Sequence, residues 1–229
     1  IGQQTIKDCK VTFEVPSVFK KGSGKWVTFN YFHEGKRVNR KYRTGKSKKF
    51  VQDANSKKVF YGIDDIASYN ECFIVEGEMD KIAMWEAGIV NCISVPNGAG
   101  DLNDIFENCE EELSKINKFI LAVDNDSAGK GLRDNLIHRF GRYKCAEVSF
   151  KHGKDANDEL MHGGIFKLQE ACVDYIEFPI ENVYDYGDLT DEQIIAERNK
   201  PAKKTLKPYG KRWDRLNDIF SVIRGQLTV

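Results

Sequence analysis

From Glu71 onward the chain alternates short apolar runs with helix-length segments, and that rhythm limits the folds open to it. The runs Cys72–Val75, Asn91–Val95, Phe119–Val123 and Ala146–Phe150 read as strands, separated by helices over Glu78–Ala87, Asn103–Ser114 and Ser127–Phe140. Continuous rather than alternating hydrophobicity marks strands buried on both faces, and strand–helix alternation implies a mostly parallel, helix-covered sheet. In such a sheet every strand ends on the same rim, where α/β proteins build their sites.

Two of these runs deliver acids to that rim. Glu76 follows the first directly, in Ile74-Val75-Glu76-Gly77-Glu78-Met79-Asp80. Asp124 and Asp126 follow another, in Leu121-Ala122-Val123-Asp124-Asn125-Asp126-Ser127-Ala128-Gly129-Lys130. A further acidic stretch, Gly153-Lys154-Asp155-Ala156-Asn157-Asp158-Glu159, comes later. Carboxylates gathered on one rim repel unless a cation separates them, and oxygen-only donors without His or Cys suit Mg2+ or Mn2+. Residues i and i+2 of a strand share a side, so Asp124 and Asp126 at a strand end can reach one ion. An Asp before Ser127 also serves as an ordinary helix N-cap. Glu76 can share the metal or, partly desolvated, act as general acid/base. Gly77 is expected to permit a sharp turn into the next helix. Glu78 fits helix-start electrostatics.

Glu-Gly-x-x-Asp after one strand, Asp-x-Asp after a later one and a downstream Asp together resemble the Toprim domain of bacterial-type primases, topoisomerases and some nucleases. The closer resemblance is to the primase half of phage-type and Twinkle-like primase–helicases. It covers residues 26–175 best and includes Lys41-Tyr42-Arg43, Phe60-Tyr61-Gly62-Ile63-Asp64-Asp65-Ile66 and an end, Trp213-Asp214-Arg215-Leu216 to Val229, like the lead-in to a RecA-like helicase. The resemblance implies a Rossmann-like Toprim sheet and assigns Asp155, ahead of Asp158, as the third acidic position. It places Asp80 behind the metal-holding acids. Asn97-Gly98 would form a rim loop where a phosphate approaches, although Asn-Gly is also an ordinary turn. The similar bacterial-type primases often carry a zinc module, but no four-ligand zinc pattern occurs here.

Net charge is zero, yet residues 1–60 hold 15 Lys/Arg against 4 Asp/Glu and the remainder 20 against 31. This lobe shows alternating strands at Val11–Val15 and Trp26–Phe32, a turn at His33-Glu34-Gly35-Lys36 and a return over Arg37–Arg43. Arg40, Lys41, Arg43, Lys48 and Lys49, with Tyr42 and Phe50 interleaved, suit a polyanion with stacking bases. A solvated, Lys-loaded edge strand would look the same. Alternation puts Lys41 and Arg43 on one face. Lys130 could touch a phosphate or simply cover a helix surface. The six cysteines form no C-x-x-C pair and read as reduced, buried thiols of an intracellular protein. No run approaches the ~20 apolar residues of a membrane span.

The expected organisation is a basic, β-rich subdomain at 1–70, an α/β Toprim domain at 71–178, and a linker with the start of a helicase domain at 179–229. Helices are also expected over Asp64–Tyr69, Asp158–Met161, Ile165–Tyr175 and Asp191–Asn199. The chain begins with Ile1 and ends in an apolar run, as a piece of a longer protein would. The activity implied is a DNA-dependent primase core that joins ribonucleoside triphosphates on a single-stranded DNA template. Its expected partner is a covalently linked helicase, with no membrane. A Toprim nuclease and a non-catalytic DNA-binding module coupled to a helicase are the alternatives. The location implied is the cytoplasm of a bacterium or phage-infected cell, or an organelle.

Overall fold

The computed structural model describes residues 1–16, 26–44, 50–96 and 102–178, with Thr190, Ile195, 205–206 and 222–223. Lys48, Lys49, Asn97, Gly98 and Trp213-Asp214-Arg215-Leu216 lie outside the described residues, as does all of the helix expected at Asp191–Asn199 except Ile195. The chain divides into two compact units, Ile1–Ile180 and Glu181–Val229. In the second, the two-residue strands at Thr205–Leu206 and Val222–Ile223 pair antiparallel.

The first unit carries two sheets. β1 (Val11–Glu14), β2 (Trp26–His33), β3 (Lys36–Arg43) and β4 (Phe50–Gln52) form an antiparallel meander. The β2–β3 hairpin turns through Glu34 and Gly35, both at positive φ. Its tip is anchored where Asp64 accepts both of their backbone N–H groups, at 2.9 Å each.

The second sheet has the order β6-β5-β7-β8-β9, from β5 (Glu71–Val75), β6 (Cys92–Ser94), β7 (Lys118–Leu121), β8 (Cys145–Glu147) and β9 (Ile176–Glu177). The first four are parallel and β9 closes the edge antiparallel. Helices α2 (Glu78–Glu86), α3 (Asn103–Asn108), α4 (Glu110–Ser114), α5 (Ser127–Phe140) and α6 (Ala156–Val173) connect and cover the strands. The chain leaves β5 to one side for β6 and returns on the other for β7, so strand order reverses between β5 and β7. A crevice opens at such a reversal.

Several elements depart from expectation for identifiable reasons. The helix expected over Asn103–Ser114 breaks at Cys109, letting Phe106 and Leu113 both enter the core. The segment Asp64–Tyr69 is reduced to a 3-10 turn, Ile63–Ile66, entered through Gly62 at φ +83°. The helices expected at Asp158–Met161 and Ile165–Tyr175, by contrast, are there as the two halves of α6, which breaks at Gly164, whose φ of +77° is not helical. A short helix α1 (Gln3–Asp8), unforeseen because it has almost no apolar periodicity, docks through Gly2 N–H on the Glu86 carboxylate at 2.9 Å.

One apolar core runs beneath both sheets, joining Phe29 and Tyr31 of β2 to Phe60, Tyr61, Ile63, Ile74, Ile93 and Phe119. A reciprocal backbone pair, Tyr61–Ser94, at 3.0 Å each way, stitches the meander side to the free edge of β6. A second core, around Val75, Met84, Ile120 and Leu168, fills the other face of the parallel sheet. All six cysteines are free and buried, and burial raises their thiol pKa values.

Candidate active site

The segments just past β5 and β7 and the N-terminus of α6 meet at one cleft of about 470 Å³. Glu76, Asp80, Asp124, Lys154, Asp155 and Asp158 line it, together with Arg43 and Phe50 from the antiparallel sheet. Adjacency of β5 and β7 unites Glu76 and Asp124, and the start of α6 brings Asp155 to them.

Glu76 leaves β5 half-buried, and its Oε1 is buried without a hydrogen-bond partner. Burial, and next the Asp124 charge, raise its pKa to about 7. Gly129 of α5 explains the tightness here. A Cβ at this position would lie 1.9 Å from the Asp124 carbonyl oxygen and 2.7 Å from Glu76 Oε1. The site therefore requires glycine inside the first turn of α5, a requirement that the Asp-x-Asp pattern alone does not reveal.

Asp124 and Asp126 approach this point by a different route from the one expected. β7 ends at Leu121, so the pair sits in the turn beyond it and strand alternation does not govern them. Asp124 lines the cleft, whereas Asp126 does not. Asp126 caps α5, its Oδ1 accepting from Ala128 N–H at 2.9 Å and Gly129 N–H at 3.0 Å. Those N–H groups, that of Gly129 foremost, lower its pKa. Capping occupies one oxygen and leaves Oδ2 without a protein partner among the described residues, so the cap and a metal-facing role are compatible.

Asp155 does the same for α6: Oδ1 accepts from Asp158 N–H at 2.8 Å while Oδ2 lies 3.1 Å from Lys154 Nζ. Lys154 also donates to Asp124 Oδ2 at 3.1 Å. Behind them Asp80, placed by sequence at the rear of the site, is buried and accepts from Asn157 N–H at 3.1 Å. Burial, then the neighbouring Asp155 charge, raise its pKa to about 8. Gly77 sits at φ −121°, a conformation open to any residue, so no sharp turn explains it. Its value is space, since a Cβ there would meet Asp80 Oδ2 at 2.7 Å.

The basic strand is corrected more strongly. Lys41 is buried rather than offered to solvent, and its Nζ donates to Glu78 Oε1 at 2.7 Å and to the Pro96 carbonyl. Glu78, expected to serve helix-start electrostatics, is buried too and also accepts from the Tyr31 hydroxyl. This Tyr31–Glu78–Lys41 knot joins the antiparallel sheet to the start of α2, at the wall of the cleft. Arg40 is paired with Asp53 at 2.6 Å and Glu14 at 3.1 Å. Arg43 alone of the three reaches the cleft, its guanidinium 5.7 Å from the Phe50 ring centroid. Lys130 is exposed and lines a separate cleft of about 170 Å³ that shares Asp124.

The donor set fits a divalent cation. It is all oxygen, it includes a buried unpartnered Glu76 Oε1, and an ammonium already lies between two of its members. Among the described residues no three acidic, His or Cys side chains yet stand at mutual ligating distance.

Residues 73–160 match the family model described as Toprim-like, and this stretch is a Toprim-like domain. The fold around it is that of primase cores. The primase fragment of the bacteriophage T7 primase-helicase protein superposes with a TM-score of 0.63 at 19% identity, over 75% of this chain and 69% of that one. Two Arabidopsis thaliana proteins are similar in sequence. The Twinkle homolog protein, chloroplastic/mitochondrial, is 34% identical over 224 residues, 89% of this chain and 31% of that protein. The primase homolog protein is 38% identical over 176 residues, 68% of this chain and 52% of that protein. The chain thus spans about a third of one relative and half of the other.

Proposed function

We propose that this chain is the catalytic core of a DNA-dependent primase, belonging to a primase–helicase, that joins ribonucleoside triphosphates on single-stranded DNA. The observation that carries this reading is the convergence of Glu76 after β5, Asp124 after β7 and Asp155 at the start of α6 on one cleft, beside Arg43 and Phe50 of the antiparallel sheet. Primase relatives and a primase fold support the same conclusion.

Glu76, Asp124, Asp126 and Asp155 would hold Mg2+ or Mn2+. When bound, such ions lower the pKa of the primer 3′-hydroxyl and stabilise the pyrophosphate leaving group. Glu76 is the acid placed either to share the metal or to take the 3′-hydroxyl proton. Arg43 binds phosphate, and Phe50, 47% exposed, offers a stacking face to a base. The Lys41–Glu78 pair fixes β3 so that Arg43 keeps its place.

Among the described residues no helix is long and apolar enough to cross a membrane. The name of the Arabidopsis thaliana Twinkle homolog favours an organelle as the location, and the likeness to the primase fragment of the T7 primase-helicase protein favours a covalently linked helicase as the partner.

The test is to incubate the protein with ribonucleoside triphosphates, single-stranded DNA and Mg2+ or Mn2+. Short RNA products that disappear with Asp124→Asn are expected. Cleavage of the DNA without RNA synthesis would point to the nuclease alternative and refute the proposal.

A further inference from the structure

The Lys154 ammonium lies between the two carboxylates that close the cleft from β7 and from the loop after β8. It contacts Asp124 Oδ2 and Asp155 Oδ2 at the same distance, 3.1 Å. Its backbone is fixed, since Asn125 N–H donates to the Lys154 carbonyl at 2.7 Å and Asp155 caps α6 one residue later. Its side chain is not fixed in the same way, being 57% exposed. A rigid root and a free, flexible stem suit a compact charge that occupies a position and leaves it.

The charges explain why such a group is there. Glu76, Asp80, Asp124, Asp155 and Asp158 share one cleft, and Lys154 is the cation that bridges two of them. Lys41 is committed to Glu78, and Arg43 stands over Phe50 at the opposite wall. Without positive charge between them, Asp124 and Asp155 would repel across the crevice. An ammonium seated between Asp124 Oδ2 and Asp155 Oδ2 occupies the position that a divalent ion shared by them would take.

We propose that Lys154 is a built-in counter-cation of the metal site: it bridges Asp124 and Asp155 in the metal-free protein and is exchanged for the divalent ion on loading. The inference rests on the reading of these acids as metal ligands. Its chemistry is displacement of one cation by another at Asp124 Oδ2 and Asp155 Oδ2, with no covalent step. Lys154 thereby makes metal loading a competition, so the apparent affinity for metal is lower than the acids alone would give.

The experiment is a Mn2+ titration of the whole chain without nucleotide, reading free Mn2+ by electron paramagnetic resonance. Wild type, Lys154→Gln, Lys154→Arg and Asp124→Asn are compared. Two partly exposed ion pairs removed at once correspond to Mn2+ binding about three- to tenfold tighter in Lys154→Gln. Lys154→Arg keeps the charge and is expected to bind Mn2+ as wild type does. In chelator, Lys154→Gln is expected to melt below wild type, and Mn2+ is expected to raise its Tm by more. Unchanged or weaker Mn2+ binding by Lys154→Gln, with Asp124→Asn still losing the ion, would overturn the exchange while sparing the metal site. Undiminished binding by Asp124→Asn would overturn both.

Discussion

Replacing Asp80 with Asn should change how stability depends on pH in the metal-free protein. In the unfolded chain Asp80 titrates near its ordinary value of ~3.9. In the fold, burial and Asp155 raise that value to about 8. Between those limits the native state holds one more proton than the unfolded state, so stability is greatest at the acid end and falls as pH rises. One extra native proton corresponds to a slope of about −1.4 kcal/mol per pH unit, or roughly 6 kcal/mol across the window as a ceiling. Sharing of the proton with Asp155 lowers the realised loss, and about half the ceiling is expected. Glu76 adds a loss of the same sign up to about 7. The amide of Asp80→Asn keeps an oxygen for Asn157 N–H but carries no charge. Urea unfolding in chelator from about pH 5 to about pH 8 should therefore give a shallower decline for Asp80→Asn, and a variant more stable than wild type at the alkaline end. Identical pH slopes for the two proteins would refute the buried, proton-holding Asp80.

Gly129→Ala should abolish synthesis and cost at least about 1–3 kcal/mol, since its Cβ would strike the Asp124 carbonyl oxygen and Glu76 Oε1; chemical denaturation and a primer assay check both. Lys41→Met should destabilise by about 3–5 kcal/mol because Glu78 is left buried without its cation; a variant of wild-type stability would mean that the pair is not structural. Arg43→Ala should leave stability nearly unchanged but reduce the slope of log affinity for single-stranded DNA against log salt by roughly 0.7 per lost phosphate contact. Glu76→Gln should cut the rate of synthesis steeply, and a variant unimpaired in both synthesis and Mn2+ binding would remove Glu76 from the site.

The sequence alone disclosed the parallel sheet, because strands buried on both faces must be continuously apolar, and Cys72–Val75 and Phe119–Val123 are. It also disclosed Glu76 and Asp124, because an acid directly after such a run lies on the carboxyl rim whatever the order of the strands. The β2–β3 hairpin was legible for a similar local reason: Glu-Gly supplies the positive-φ turn. Asp155 needed the family resemblance, since it follows β8 by eight positions and no local rule brings it back to the rim.

Only the tertiary structure settled what lies beside what. Strand order is set by how helices pack across both faces, which local patterning does not encode, and it is this order that places β5, β7 and β8 side by side. The basic run showed the limit most clearly. Charge counting made Lys41 a surface cation, whereas burial against Glu78 and Tyr31 makes it an internal strut, and Arg43 two residues on is the group left facing the cleft. A charge's role depends on the dielectric around it and on partners brought from distant segments. Those partners, like the closeness of Gly129 to Glu76 or of Lys154 to both Asp124 and Asp155, exist only once the chain has folded.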